Sequence, residues 1–177
     1  LSGKKMREVL ICTVGTSLLN NIDSWQASDR VREHFTGGNL MGLNHELSRL
    51  SVPDRRLGAE INSVCSIIKS GFLARRGELL FFVSDTDEGR LTGKLLVHYF
   101  SNGKKPCFFE EVRFDVIEGL TDRDVVRFEK DGLKNLVKML AGLARTRGAE
   151  RILINATGGY KAQISFAGMI GQALDMP

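Results

Sequence analysis

Cysteine, histidine, proline and tryptophan are all scarce in this chain, and the scarcity closes off several classes of protein. Cys12, Cys65 and Cys107 form no Cys-x-x-Cys pair. Odd in number, widely spaced and set in apolar contexts, they predict buried reduced thiols and hence a cytoplasmic location. His34, His45 and His98 stand far apart, so neither a Ser-His-Asp nor a Cys-His set can be drawn and His-based general-base chemistry has little support. No apolar run approaches membrane-spanning length, and no signal-peptide core stands at the N-terminus. Residues 1–5 precede the first Met; whether native or a tag remnant, they carry no part of the fold reading. Gly-x-x-x-x-Gly-Lys-Ser/Thr is absent, which disfavours ATP hydrolysis, and Gly-x-Gly-x-x-Gly is missing after the first strand, which disfavours a dinucleotide-binding oxidoreductase.

What is present is ordinary for one globular domain. The 177 residues are 42% apolar and 26% charged, enough to bury a full core. The formal charge of +4 and pI near 9.1 suit an anionic ligand but fall short of the basic stripe of a duplex-binding protein. No duplex nucleic acid is therefore expected on this domain. Most of the Lys and Arg residues read as solvated surface.

Apolar runs alternate with helical periods. Glu8–Val14, Glu78–Val83, Val112–Ile117 and Arg151–Ile154 read as short buried strands. Between them, Leu57, Ile61, Val64, Cys65 and Ile68 recur at helical spacing, as do Leu91, Leu95, Leu96 and Tyr99. Leu133, Leu136, Val137, Leu140 and Ala144 mark a long helix with Gly148 as its C-cap, and a last helix covers Ala162–Leu174. Strands joined by helix-length crossovers predict an α/β fold with a mostly parallel, Rossmann-like sheet flanked by helices. Residues 20–54 are least legible, reading as two short helices around a Gly37-Gly38 break, with Pro53 ahead of the next helix. Trp25 and the Phe residues read as core or interface. The last helix ends at Met176-Pro177, where a further strand is expected, so the pattern reads as the N-terminal piece of a longer protein.

In such sheets ligands bind beyond the carboxyl ends of the strands. Three segments fall there. Thr13–Ser17 offers Gly15 for close backbone approach and Thr16 and Ser17 as hydroxyls near a helix N-terminus, suiting a phosphate or ribose, though a plain helix cap reads equally well. Ser84–Arg90 carries Ser84, a capping Thr86 or Asp87, paired carboxylates and Arg90. Helix-dipole complementarity explains those carboxylates more simply than a metal, and Arg90 is the better ligand contact. Asn155–Lys161 carries Thr157, Gly158, Gly159, Tyr160 and Lys161; two glycines free backbone N–H groups, and a Lys in the first turn opposes the helix dipole unless it meets an anion. No metal and no cofactor is called for.

Read together, TVGTSLLNN (13–21), GAEINS (58–63), SDTDEGR (84–90), RFEKDGLKNLV (127–137) and NATGGYK (155–161) resemble the CRISPR-associated Rossmann-fold (CARF) domains, most closely the APE2256-type CRISPR-associated proteins. The resemblance runs from Val9 to Leu174. It implies a homodimer that binds a cyclic oligoadenylate, usually the four-membered ring, across a two-fold axis; an evenly symmetric ring suits an isologous dimer. It also implies Ser17 and Lys161 as the residues that matter if the ring is cut, with Gly15, Thr16, Asn20, Ser84, Thr86, Arg90, Thr157, Gly158, Gly159 and Tyr160 around the ligand. Family members of this kind divide between metal-independent ring nucleases and non-catalytic sensors that control a C-terminal RNase or DNA-binding domain. The close APE2256-like pattern favours the ring nuclease. The same Ser and Lys occur in sensors.

Overall fold

The computed structural model describes residues 7–24, 29–102, 106–121 and 123–177; residues 1–5 and Trp25 lie outside them. Four strands, β1 (Val9–Thr13), β2 (Glu78–Ser84), β3 (Glu111–Ile117) and β4 (Ile152–Asn155), form one parallel sheet in the order β3-β2-β1-β4. Each run read as a strand is one, to within a residue at either end. The two central strands are buried along nearly their whole length, which is why they read as continuous apolar runs rather than alternating ones.

Period-two geometry then splits those runs between two cores. Leu10 and Cys12 of β1, Leu79, Phe81 and Val83 of β2, and Leu153 of β4 face the first core. It is completed by α1 (Ser17–Ser24), α2 (Asp29–Thr36), α3 (Leu40–Ser48), α4 (Gly58–Lys69) and α5 (Asp87–Phe100). Val9, Ile11, Leu80, Phe82 and Ile152 face the other, closed by α7 (Leu133–Arg147) and α8 (Lys161–Ala173). The stretch 20–54 thus holds the end of α1 plus α2 and α3, and the break falls at Gly37-Gly38 as read. Cys12 and Cys65 are buried, while Cys107 is only half-buried. Phe81, Phe82 and Phe100 are core, but Phe72 is 55% exposed.

Apolar periodicity does not mark one helical element, although the RFEKDGLKNLV segment (127–137) covers most of it. The helix before α7 begins at α6 (Val125–Arg127) and widens into a π turn over Phe128–Gly132. Gly132 packs directly on Gly119, where a Cβ would come within 2.4 Å of the Gly119 carbonyl oxygen. Gly119 itself has φ +78°, open to glycine at little cost. That contact seats the loop after β3 against the helix.

At the amino end of the sheet, Glu78 is 6% exposed and lies between Arg147 (2.9 Å) and Arg113 (3.2 Å). Burial pushes its carboxyl up, but the two guanidinium groups outweigh that and hold it below the ordinary glutamate value. Arg113 also reaches Asp115 on the same strand, so the second face of edge strand β3 is charged rather than apolar. Arg147→Met should lower stability by about 1–2 kcal/mol, the value of a charged hydrogen bond reduced by solvent screening. Because Glu78 titrates below its unfolded value, the loss should be full near neutral pH and shrink as pH falls through the folded-state value, read from urea unfolding midpoints.

Candidate functional site

The carboxyl ends of β1, β2 and β4 converge on one polar crevice of about 600 Å³, within the usual range for small-ligand sites. β1 contributes Val14, Gly15, Thr16 and Ser17, with Asn20 one turn into α1. β2 contributes Ser84 and Thr86, whose hydroxyls lie 2.8 Å apart. Of the two caps the sequence left open, Thr86 is the N-cap of α5, accepting from the Gly89 N–H at 3.1 Å, and Asp87 is the first helical residue. The loop after β4 contributes Thr157, Gly158, Gly159 and Tyr160. Ten of the twelve residues singled out for ligand contact therefore line one cavity. The other two, Arg90 and Lys161, are exposed and lie outside its lining. Lys161 is the first residue of α8. The three histidines fall in α2, α3 and α5, away from the crevice.

The floor of the crevice is a residue that sequence reasoning passed over. Glu60, in the first turn of α4, is 1% exposed. Its Oε1 accepts from the Gly15 N–H at 2.8 Å and its Oε2 from the Ser17 hydroxyl at 3.1 Å. Ser17 Oγ in turn accepts from the Ala59 N–H at 3.3 Å. Among the described residues no cationic side chain pairs with Glu60. Burial raises its pKa, against the lowering effect of the hydrogen bonds from Gly15 and Ser17. The same burial, with the Glu60 charge adding, drives the Cys12 thiol far above its ordinary value despite a hydrogen bond from Asn155. Cys12 is thus an inert neutral thiol. The signal for Glu60 was available: it stands three residues after Leu57 and four before Val64, on the apolar stripe of its helix.

Backbone packing leaves no slack around this carboxyl. A Cβ on Gly158 would come within 2.4 Å of Glu60 Oε1 and 2.6 Å of the Thr13 carbonyl oxygen. One on Gly15 would come within 2.8 Å of the Gly159 nitrogen. Thr13 Oγ1 donates to the Gly158 carbonyl at 2.5 Å, joining the β1 and β4 loops directly. Asn155 extends the bracing: its amide donates to Ser63 Oγ at 2.8 Å, and its Oδ1 accepts from Thr157 Oγ1 at 2.5 Å. The glycines are there because two loops and a carboxylate meet at backbone distance.

The far wall comes from the loop after β3, which carried no recognisable motif. Leu120, Thr121 and Arg123 line it. Arg123 pairs with Glu88 at 2.7 Å, and Arg127 with Asp85 at 2.7 Å. Asp85 also accepts from the Gly119 N–H at 3.2 Å. Both pairs are partly or largely exposed, so they fix geometry more than they add stability. Asp85 and Glu88 of the Ser84–Arg90 segment are accordingly tied to arginines, and among the described residues no cluster of His, Cys, Asp and Glu could hold a metal. Tyr160 packs edge-on against Phe128 at 4.7 Å between centroids, fixing the β4 loop to the π turn. Gln163, 2% exposed and in the first turn of α8, also lines the crevice; its amide nitrogen is buried without a partner.

Fold and crevice together define a Rossmann-like α/β domain of the class that takes ligands at the carboxyl ends of its strands. The chain belongs to the CRISPR-associated protein family Cas_APE2256, whose model matches residues 55–177, more than half of the sequence. Glu60, Ser84, Thr86 and the 157–160 loop lie within the matched span, and the Thr13–Ser17 loop precedes it. A comparison with curated proteins finds no match. No helix among the described residues is long and apolar enough to cross a membrane.

Gly158→Ala should lower stability by about 1–3 kcal/mol, since a backbone carbonyl rather than a flexible side chain opposes the added methyl; thermal unfolding measures it. Glu60→Gln tests the buried charge. A carboxyl with a raised folded-state pKa carries its burial cost when ionised, and that cost is relieved on protonation. The difference in unfolding free energy between variant and wild type should therefore shift toward the wild type as pH falls from neutral through the raised folded-state value of Glu60.

Proposed function

We propose that this protein binds cyclic oligoadenylate, specifically the cyclic tetra-adenylate ring, and cleaves it as a metal-independent ring nuclease in CRISPR-based antiviral defence. The observation that carries the reading is the convergence of three strand-end loops, each carrying candidate ligand-contact residues, on one crevice within a CRISPR-associated family. Hydroxyls of Thr16, Ser84, Thr86 and Thr157 supply ribose and phosphate contacts, Ser17 supplies a ribose contact, and Gly158 and Gly159 allow close approach to a sugar-phosphate backbone. In the reaction a ribose 2′-oxygen attacks the adjacent phosphorus, the P–O5′ bond breaks, and the products carry a 2′,3′-cyclic phosphate and a 5′-hydroxyl. Ser17 orients the 2′-hydroxyl in line; positioning supplies much of the acceleration.

The ring is held by two copies of the chain in this reading. Val125 and Val126, 63% and 72% exposed and shortly after the crevice residue Arg123 in sequence, are apolar surface that a second copy would cover. A second reading, a non-catalytic cyclic oligoadenylate sensor, is favoured by one observation: Lys161 stands exposed, outside the crevice lining.

The test is incubation of the purified chain with radiolabelled cyclic tetra-adenylate in EDTA, with binding followed by gel shift and products by chromatography. The ring nuclease should convert the ring to linear or di-adenylate products ending in a 2′,3′-cyclic phosphate. Ser17→Ala should slow cleavage by roughly 100-fold with a smaller effect on binding. Lys161→Ala should weaken binding and cleavage by about tenfold, the value of one charge-assisted hydrogen bond. Tight binding with the ring left intact establishes the sensor, and no binding overturns both readings.

A further inference from the structure

The hydrogen bonds around Ser17 have a direction, and the direction decides what Ser17 offers a ligand. Its hydroxyl proton points at Glu60 Oε2, 3.1 Å away. Its oxygen already accepts from the Ala59 N–H at 3.3 Å, leaving one lone pair for the crevice. The other oxygen of Glu60 is held by the Gly15 N–H, a donor that cannot turn round. With both carboxylate oxygens taken by donors and the group almost wholly out of water, Ser17 has no better use for its proton than Glu60. It faces the crevice as an acceptor.

We infer that Glu60 is a positioning residue that makes Ser17 an obligate hydrogen-bond acceptor, so that the crevice selects a ligand bearing a free hydroxyl there, namely a ribose 2′-hydroxyl. A phosphate oxygen cannot be held by Ser17 in this arrangement, because two acceptors would face each other. A deoxyribose offers it nothing. Rossmann-like sites commonly take a ribose hydroxyl on an acidic side chain directly; here the carboxylate works through a serine. The inference rests on the cyclic oligoadenylate reading for its choice of ligand, but it concerns recognition and not cleavage.

The amide Glu60→Gln gives a signature that a merely structural role would not. Gly15 N–H requires the amide oxygen at the Oε1 position. The amide nitrogen then occupies the Oε2 position and donates to Ser17 Oγ, turning the serine proton into the crevice. Ser17 changes from acceptor to donor while its place stays the same.

Dissociation constants are measured for wild type, Glu60→Gln and Ser17→Ala with three probes: cyclic tetra-adenylate, its 2′-deoxy counterpart and its 2′-O-methyl counterpart. The wild type should prefer the ribose ring over both analogues by about tenfold or more, as expected when a buried polar group loses its partner. Glu60→Gln should lose that preference and bind the 2′-O-methyl ring, which can only accept, more tightly than the wild type does. The methyl group is equally bulky in both proteins, so the gain reports the reversed proton. Ser17→Ala should lose the preference without gaining affinity for the methylated ring, and it carries the test if Glu60→Gln fails to fold. A wild type that binds all three rings equally, or a Glu60→Gln that keeps the wild-type ranking, overturns the inference and leaves the cyclic oligoadenylate reading intact. A wild type that binds none of the rings overturns that reading and the inference with it.

Discussion

A carboxylate with no cationic partner is an uncommon thing to bury, and the functional end of this molecule is arranged around one. Glu60 is reached by the Gly15 N–H and the Ser17 hydroxyl, and its Oε1 occupies the space that any side chain at Gly158 would need. It therefore fixes the first loop, the first turn of α1 and the loop after β4 at the same time. Without an acceptor at Oε1 the Gly15 N–H would lose its partner, and without one at Oε2 Ser17 would be free to turn its proton into the crevice. The glycines and hydroxyls of the two loops are in these places because the carboxylate is in its place.

The rest of the fold holds the loops at the correct height. β1 and β4 pair in parallel with Cys12 opposite Asn155, so both loops leave the sheet at the same level. The Thr13 hydroxyl then reaches the Gly158 carbonyl across the gap. On the other side, the Gly119–Gly132 contact and the Asp85–Arg127 ion pair bring the loop after β3 over the same crevice. The wall near α6 thus rests on a π turn and on exposed charge pairs, whereas the floor rests on buried hydrogen bonds. Local stability follows that difference, with the wall the more easily displaced part.

The two clusters of charge also divide the work by burial. Glu78 at the amino end is compensated by Arg113 and Arg147 and titrates low. Glu60 at the carboxyl end has no cationic partner among the described residues, and burial raises its pKa. The first arrangement favours a stable ionised carboxylate, the second an acceptor held at some cost in stability. Costly buried polar groups of the second kind cluster where ligands are recognised.

Local pattern determined the strands, the long helices, the Gly148 cap and a cap at Thr86 or Asp87, because each depends on residues a few positions apart. It also determined which three segments sit at strand ends, since a parallel α/β alternation fixes that by connectivity alone. Tertiary structure decided what lies between them. The role of Glu60 depends on residues separated by more than forty positions in sequence; its place on the apolar stripe of α4 announces burial but not what it meets there. Leu120, Thr121 and Arg123 reach the crevice through a glycine-to-glycine contact and long-range ion pairs that no spacing announces. Lys161 shows the converse: its place at the start of α8 is legible, but whether it faces the crevice depends on how the helix is rotated against the sheet, and it stands outside the lining. Sequence order sets which groups arrive at a strand end; hydrogen-bond direction and helix rotation, set by packing, decide which of them a ligand meets.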